Sequence, residues 1–299
     1  MKKVAVFFKR PGERSYPFTQ KEYYNSYQEL ALEIEKCGGE FYITRENKTY
    51  LGNGKFSNSW QFKDGDLIET GEITVDKIYD KGCFKSDNKV PVLNNKFIND
   101  ICTDKFKTFE IFKEFCPKTI RVENEEKFIK ALGEISGDIK VIKPIDGEGG
   151  RGVCIGDDEY LKNCEYKFPL LVQEFIDSSC GIDGITEGIH DLRIAILRGE
   201  IVFSFLRTPP ADKLLSNLDH GGKLIEINIK DIPKEASKIA FMIDNHFKKY
   251  EDRFIGIDLA FTKDGPKVIE LNSRLGLQEN ARSDTFRIFK EKLAKLLVS

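Results

Sequence analysis

The chain has 299 residues, with 47 Lys and Arg against 49 Asp and Glu for a formal net charge of −2, and 40% of it is hydrophobic. This near balance argues against a protein whose main work is to neutralise the phosphates of a nucleic acid, and 23 Phe with 10 Tyr supply the burial that excludes a disordered chain. The first apolar run, Val4 to Phe8, is too short for a membrane span or a signal-peptide core, so the expected setting is cytoplasmic. Seven cysteines form no CxxC pair and no Cys/His spacing suited to zinc.

In chain order, Lys3 to Phe8 reads as a strand, followed by a polar loop with Pro11, Gly12 and Pro17 and by a helical pattern from Glu22 to Lys36. Cys37-Gly38-Gly39 stops that helix, and Glu40 to Thr44 is the next strand. The segment 1–102 is therefore expected to be a small α/β domain. Gly52 to Asp66 is rich in turn residues and shows no clear period. From residue 103 the pattern changes. Thr103-Asp104 can cap a helix from Lys105 to Phe115 that Pro117 ends, and Glu123 to Ile135 gives a second helix before a strand at Lys140 to Lys143. Strands follow at Val153–Ile155, Leu170–Phe175, Leu192–Leu197 and Ile201–Leu206. A helix from Glu235 to Lys249, a hairpin from Phe254 to Asn272 and a helix from Thr285 to Leu297 complete the reading.

Gly147, Gly149 and Gly152 fit GxGxxG, with Gly150 between them. A dinucleotide fold would open a helix within these glycines. Here they lead into the β-prone run Val153-Cys154-Ile155, so a hairpin tip is expected, whose backbone amides can close on an anion. Lys143 lies on the strand feeding this tip, on the same face as Val141, and there a lysine can reach phosphates as a point charge. An edge-strand lysine beside a flexible turn is the plain alternative. The Walker A pattern is absent.

The hairpin Phe254 to Asn272 alternates: Ile255, Ile257, Leu259 and Phe261 share one face, with Gly256, Asp258 and Ala260 on the other. On the return strand Ile269 and Leu271 share a face opposite Val268, Glu270 and Asn272. Matching the polar faces favours a three-residue loop, Lys263 to Gly265, which opposes Asp258 with Glu270. Asp258, Glu270 and Asn272 then form an oxygen donor set of the kind that suits magnesium. A solvated sheet face with three unrelated polar residues is the alternative.

Taken in order, Lys105, Lys143-Pro144, the loop Asp146 to Gly152, Gln173-Glu174-Phe175-Ile176, Asp191-Leu192-Arg193, Arg207, Asn217 with Gly221-Gly222, Asp258 and Glu270-Leu271-Asn272 resemble the ATP-grasp superfamily. The likeness is nearest to its bacterial glutathione synthetase and ribosomal-protein glutamate ligase branches, and it covers about residues 100 to 299. It implies an N-terminal Rossmann-like domain, then a two-lobed ATP-grasp fold with a central lobe at 103–175 and a C-terminal lobe at 176–299. The resemblance implies that Lys105 and Lys143 touch phosphates, that Gly147, Gly149, Gly150 and Gly152 close over them, and that Gln173, Glu174 and Phe175 form the adenine hinge with Asp191 near the ribose. It also implies catalytic roles for Arg193, Arg207 and Asn217, and magnesium ligation, at two ions with manganese as the alternative cation, by Asp258, Glu270 and Asn272. Leu215 stands where the glutamate ligases carry arginine, which leaves the acceptor open.

The function so implied is an ATP-dependent carboxylate-amine ligase that works through an acyl phosphate and releases ADP and phosphate. Its partners would be small carboxylate and amine substrates, a peptide or protein terminus among the acceptors, with a homodimer as an open assembly. A kinase of the same fold acting on a hydroxyl, and an ATP-binding regulatory protein without turnover, are the alternatives. Residues 178–190, longer than expected between the hinge and the ribose position, read as a substrate lid or a solvated loop. Residues 9–18, with Arg10, Arg14 and Tyr16, follow the end of the first strand, where α/β sheets bind ligands.

Overall fold

The computed structural model describes residues 1–147, 149–210, 222–277 and 283–299. It divides into two compact units, one of residues 1–98, 248–254 and 274–299 and one of residues 99–247 and 255–273.

The first unit starts with β1 (Lys2–Phe8), which passes through α1 (Lys21–Lys36) to the parallel β2 (Gly39–Arg45). Val4 to Phe7 are fully buried on both faces of β1, so the strand reads as a continuous apolar run, as a central parallel strand does. β3 (Tyr50–Gly52), β4 (Lys55–Phe56) and a later strand at 73–74 form a small antiparallel sheet. β5 (Trp60–Lys63) and β6 (Asp66–Glu69) pair antiparallel beside β2. The turn-rich stretch thus resolves into strands of two to four residues, too short to carry a hydrophobic period. With β7 (Ile73–Thr74) in the small sheet, β8 (Lys77–Asp80) and β9 (Val92–Leu93) complete the main sheet in the order β6-β5-β2-β1-β8-β9.

A helix not anticipated from the sequence, α2 (Lys96–Thr103), lies at the division between the units. The second unit continues with α3 (Lys105–Ile111), capped as expected by Asp104, whose side chain accepts from the backbone N–H groups of Phe106 and Lys107. The helix ends short of Phe115, because Phe112 leaves helical geometry and packs its ring against His246 and Phe247. β10 (Thr119–Val122), α4 (Glu125–Glu134), β11 (Lys140–Pro144), β12 (Cys154–Gly156), α5 (Asp158–Lys162) and β13 (Leu170–Glu174) follow. Their antiparallel sheet has the order β10-β13-β11-β12 and packs Ile142, Leu170 and Val172 against Phe128 and Leu132 of α4. A second sheet, β16-β15-β14-β17-β18, is built from β14 (Asp191–Leu197), β15 (Glu200–Thr208), β16 (Lys223–Glu226), β17 (Phe254–Thr262) and β18 (Gly265–Asn272), with α6 (Lys234–His246) between β16 and β17.

The closing α7 (Asp284–Val298) belongs to the first unit, although linear boundaries from the sequence place it with the C-terminal lobe. It buries Phe286, Phe289, Leu293 and Leu297 and packs along α1 and β1. An amphipathic pattern fixes which face of a helix is buried, not which sheet receives it. Among the described residues no helix is long and apolar enough to cross a membrane.

Candidate functional site

One cleft of the second unit is walled by both of its sheets and by the start of α3. On the first sheet β11 and β12 pair with Val141 opposite Ile155, so the glycines form a hairpin tip, as the run after them predicts. Gly149, Gly150 and Gly152 sit at φ +68°, +71° and +74°, the left-handed region that side chains disfavour. Gly147 and Gly150 face the cleft; Gly149 and Gly152 are absent from its lining. Lys105 Nζ donates to the Gly147 carbonyl at 2.5 Å and lies 3.8 Å from Glu270. Lys143 is buried in the cleft wall, its Nζ donating to Gln173 Oε1 at 2.8 Å. Burial, joined by the positive charge of Lys105, pulls its ammonium down to about 8.

On the second sheet the hairpin turns differently from the expectation. Thr262 opposes Gly265, leaving a two-residue loop of Lys263 and Asp264, not the three-residue loop that face-matching favours. A one-residue bulge then restores the opposition of Asp258 with Glu270: Leu259 faces Val268, and Ile269 is the extra residue. Parity arguments register only the sum of loop and bulge. The bulge also reverses two side chains, so that Val268 is buried across from Leu259 while Ile269 joins Glu270 in the cleft.

Asp258, only 1% exposed, is the electrostatic centre. Arg193 donates to it through Nε and Nη2 at 2.7 Å each, and Arg207 through Nη2 at 2.6 Å. Asn272 Nδ2 adds a longer contact at 3.2 Å and a second one to Glu270 Oε1 at 3.4 Å. Burial works against the Asp258 charge, yet Arg193 and Arg207 outweigh it and hold the carboxyl well below its usual range. The same Arg207 Nη2 reaches Asp191 at 2.7 Å across the β14–β15 register. Burial pushes the Asp191 carboxyl up, with Arg207 opposing. Arg207 Nε is buried and has no acceptor among the described residues.

Four cationic side chains, Lys105, Lys143, Arg193 and Arg207, thus converge with Asp191, Asp258 and Glu270. Of the residues singled out from the sequence, Lys105, Lys143, Gly147, Gly150, Gln173, Glu174, Phe175, Asp191, Arg207, Asp258 and Glu270 line the cleft. Arg193 and Asn272 join through Asp258. Asn217 lies outside the described residues, as do His220, Gly221 and Glu148. Glu174 is partly committed elsewhere, its carboxylate accepting from the Lys118 backbone at 3.0 Å. Sequence reasoning missed the apolar wall of Val141, Ile155, Ile176, Ile189 and Ile269; strand alternation signals only Val141 and Ile155, since Ile176 and Ile189 lie outside the strands and the bulge reverses Ile269. The long loop closes on itself: Ser178 Oγ accepts from His190 N at 3.3 Å, and His190 Nε2 accepts from Phe261 N at 3.1 Å. His190 Nδ1 lies 2.9 Å from the Gly188 carbonyl, so the ring is a neutral, fully bonded wall residue rather than a base.

A family model described as the RimK-like ATP-grasp domain matches residues 103–296, which include every residue of the cleft. The chain belongs to this ATP-grasp family. A probable alpha-L-glutamate ligase of Psychromonas ingrahamii is 28% identical over 170 residues, covering 54% of this chain and 51% of that protein. This ATP-grasp chain therefore spans about half the length of such curated relatives. The structure of a D-alanine–D-alanine ligase from Bacillus anthracis aligns with a TM-score of 0.64 at 14% identity, covering 100% of this chain and 96% of that one. The macrocyclase MdnC, bound with precursor peptide MdnA from Microcystis aeruginosa, aligns at 0.61 and 15% identity over 100% of both chains. The ATP-grasp fold expected from the ordered motifs is the fold of this chain.

The donor set fits a hard divalent cation. It comprises two carboxylates and an amide on opposed strands, the short protein ligand list that magnesium takes; among the described residues no group of three His, Cys, Asp or Glu is placed to hold a metal ion without such help from an amide, water or substrate oxygens. Asn272 turns its amide nitrogen toward the carboxylates through two long hydrogen bonds; rotating the amide presents its oxygen instead. Glu270 carries the more open oxygens, because those of Asp258 already accept from both arginines.

Proposed function

We propose that the protein is an ATP-dependent carboxylate-amine ligase that joins a carboxylic acid to an amine through an acyl phosphate. The observation that carries the reading is the gathering of Lys105, Lys143 and Arg207 with Asp258 and Glu270 in one cleft, which Arg193 joins through Asp258, a cluster of cations beside carboxylates suited to phosphates and a divalent cation; membership of the ATP-grasp family points to a nucleotide as the source of the phosphates.

In this reading Lys105, Lys143 and the glycine hairpin hold the phosphates, the apolar wall receives the base, and Arg193 and Arg207 stabilise the charge that shifts between phosphoryl oxygens. Glu270, Asn272 and Asp258 are the residues that would hold magnesium, which when bound neutralises phosphoryl charge. The substrate carboxylate attacks the γ-phosphorus and ADP leaves; the amine then attacks the acyl carbon and phosphate leaves, so no protein nucleophile is required. The name of the Psychromonas relative supports an amino acid as one of the two substrates.

Pools of small acids, amino acids and dipeptides with magnesium-ATP test the reading through ADP and free phosphate released in step with a new amide. ADP with a stable phosphoester and no free phosphate would replace the ligase with a kinase, and nucleotide binding without turnover in any pool would favour a regulatory protein.

Lys143 adds a pH dependence. Its folded-state value of about 8 lies below that of a free lysine side chain, so the ammonium is present below pH 8 and is lost as pH rises through it. Affinity for ATP is expected to be full at pH 7 and to weaken between pH 8 and 9, with proton uptake on binding; titration calorimetry in buffers of different ionisation enthalpy reads both. The stability sign is opposite: the buried charge destabilises the fold below pH 8, and that penalty fades as pH rises further.

A further inference from the structure

Three neighbouring strands carry a buried polar line that the nucleotide reading leaves unexplained. Thr119 of β10 is the register partner of Gln173 on β13, and Gln173 is the partner of Val141 on β11, two residues before Lys143. The three polar side chains therefore share one face, and Thr119, Gln173 and Lys143 are 4%, 7% and 7% exposed. Lys143 Nζ donates to Gln173 Oε1 at 2.8 Å, Gln173 Nε2 donates to Thr119 Oγ1 at 2.7 Å, and Thr119 Oγ1 donates to the Pro117 carbonyl at 3.0 Å.

The two ends of this line fix its direction. An ammonium can only donate and a carbonyl can only accept. With the Thr119 proton on Pro117, the hydroxyl oxygen must accept, so the Gln173 amide must turn its NH2 to Thr119 and its oxygen to Lys143. Turned over, the amide would set two donors against each other inside the protein, where an unsatisfied polar group is expensive.

We propose that Thr119 is a positioning residue for Lys143, acting through Gln173, and that Gln173 serves the site by holding the lysine rather than by touching the nucleotide. The inference rests on the reading of the cleft as a nucleotide site. Without the hydroxyl the amide loses its fixed sense, and the ammonium loses the acceptor that aims it.

Full-length protein carrying Thr119→Val, which keeps the side-chain shape and removes the hydroxyl, is titrated with magnesium-ATP and separately with adenosine. The Kd for magnesium-ATP is expected to rise about ten-fold, the scale of one charge-assisted hydrogen bond, with the adenosine Kd unchanged and Thr119→Ser close to wild type. Equal weakening of both ligands, unchanged ATP affinity, or a serine variant as impaired as the valine would overturn the positioning role. Should Thr119→Val fail to fold, Gln173→Met carries the same comparison of ATP with adenosine. Wild-type protein that binds neither ligand would overturn the nucleotide reading, and the relay's role with it, whereas wild-type binding with an indifferent Thr119→Val overturns the relay alone.

Discussion

Replacing Lys143 by methionine is expected to lower ATP turnover by about 100-fold or more, the scale found when one preorganised charge-stabilising donor is removed from a reacting centre, while leaving the melting temperature equal to or above that of wild type. The two halves of this result have one cause. Lys143 is 7% exposed, its acceptor is the neutral Gln173 amide, and among the described residues it forms no ion pair. Its charge is therefore desolvated with no carboxylate in contact, and burial together with the Lys105 charge outweighs the attraction of Glu270 and draws the ammonium down. Such a group burdens the fold and is tolerable where a ligand uses it. Methionine fills similar space without the charge. A melting temperature several degrees lower, with turnover retained, would make Lys143 structural.

The two carboxylates of the hairpin are expected to separate. Asp258→Ala should destabilise the fold by about 3–5 kcal/mol, the range for removing one partner from a buried ion cluster, because it removes two hydrogen bonds from Arg193 and one from Arg207, which among the described residues keeps Asp191 as its carboxylate partner. Glu270→Ala should change stability by less than about 1 kcal/mol, since its side chain is 27% exposed and touches Lys105 only at 3.8 Å. Both should lose turnover by about 100-fold or more. Urea denaturation beside phosphate release reads the contrast. The consequence is practical: loss of activity in an Asp258 variant carries little information about a metal, whereas loss in a folded Glu270→Ala protein does. A folded Glu270→Ala enzyme with normal turnover would contradict the metal assignment.

Much of this was legible because strands are read with a period of two. The placement of the glycines in a hairpin followed from Val153 to Ile155 being β-prone, and the opposition of Asp258 and Glu270 followed from matching faces. The details that escaped were those in which one irregular residue or a distant partner decides. The bulge at Ile269 reversed Ile269 and Val268 without altering the pairing of the polar residues. The α2 helix carries its apolar residues at Phe97, Ile98, Ile101 and Cys102, a helical spacing that was present in the sequence but only two turns long. The docking of α7 beside α1 depends on contacts more than 240 residues apart in sequence, which no local pattern records. The electrostatics of Asp258 were hidden for the same reason: Arg193 and Arg207 are 65 and 51 residues away from it, and a sequence shows only that the charges exist. The line from Lys143 to Pro117 has no motif at all; it exists because strand register sets Thr119, Gln173 and Lys143 on one face.

The acyl phosphate is the claim on which the functional account turns, and hydroxylamine tests it most directly. In a pool where wild-type protein consumes magnesium-ATP, adding hydroxylamine in place of the amine should yield the hydroxamate of one acid, with ADP and phosphate formed in equal amount, and Lys143→Met should abolish it. ATP consumption in that pool with no hydroxamate, and with phosphate retained on a stable product, would contradict the account.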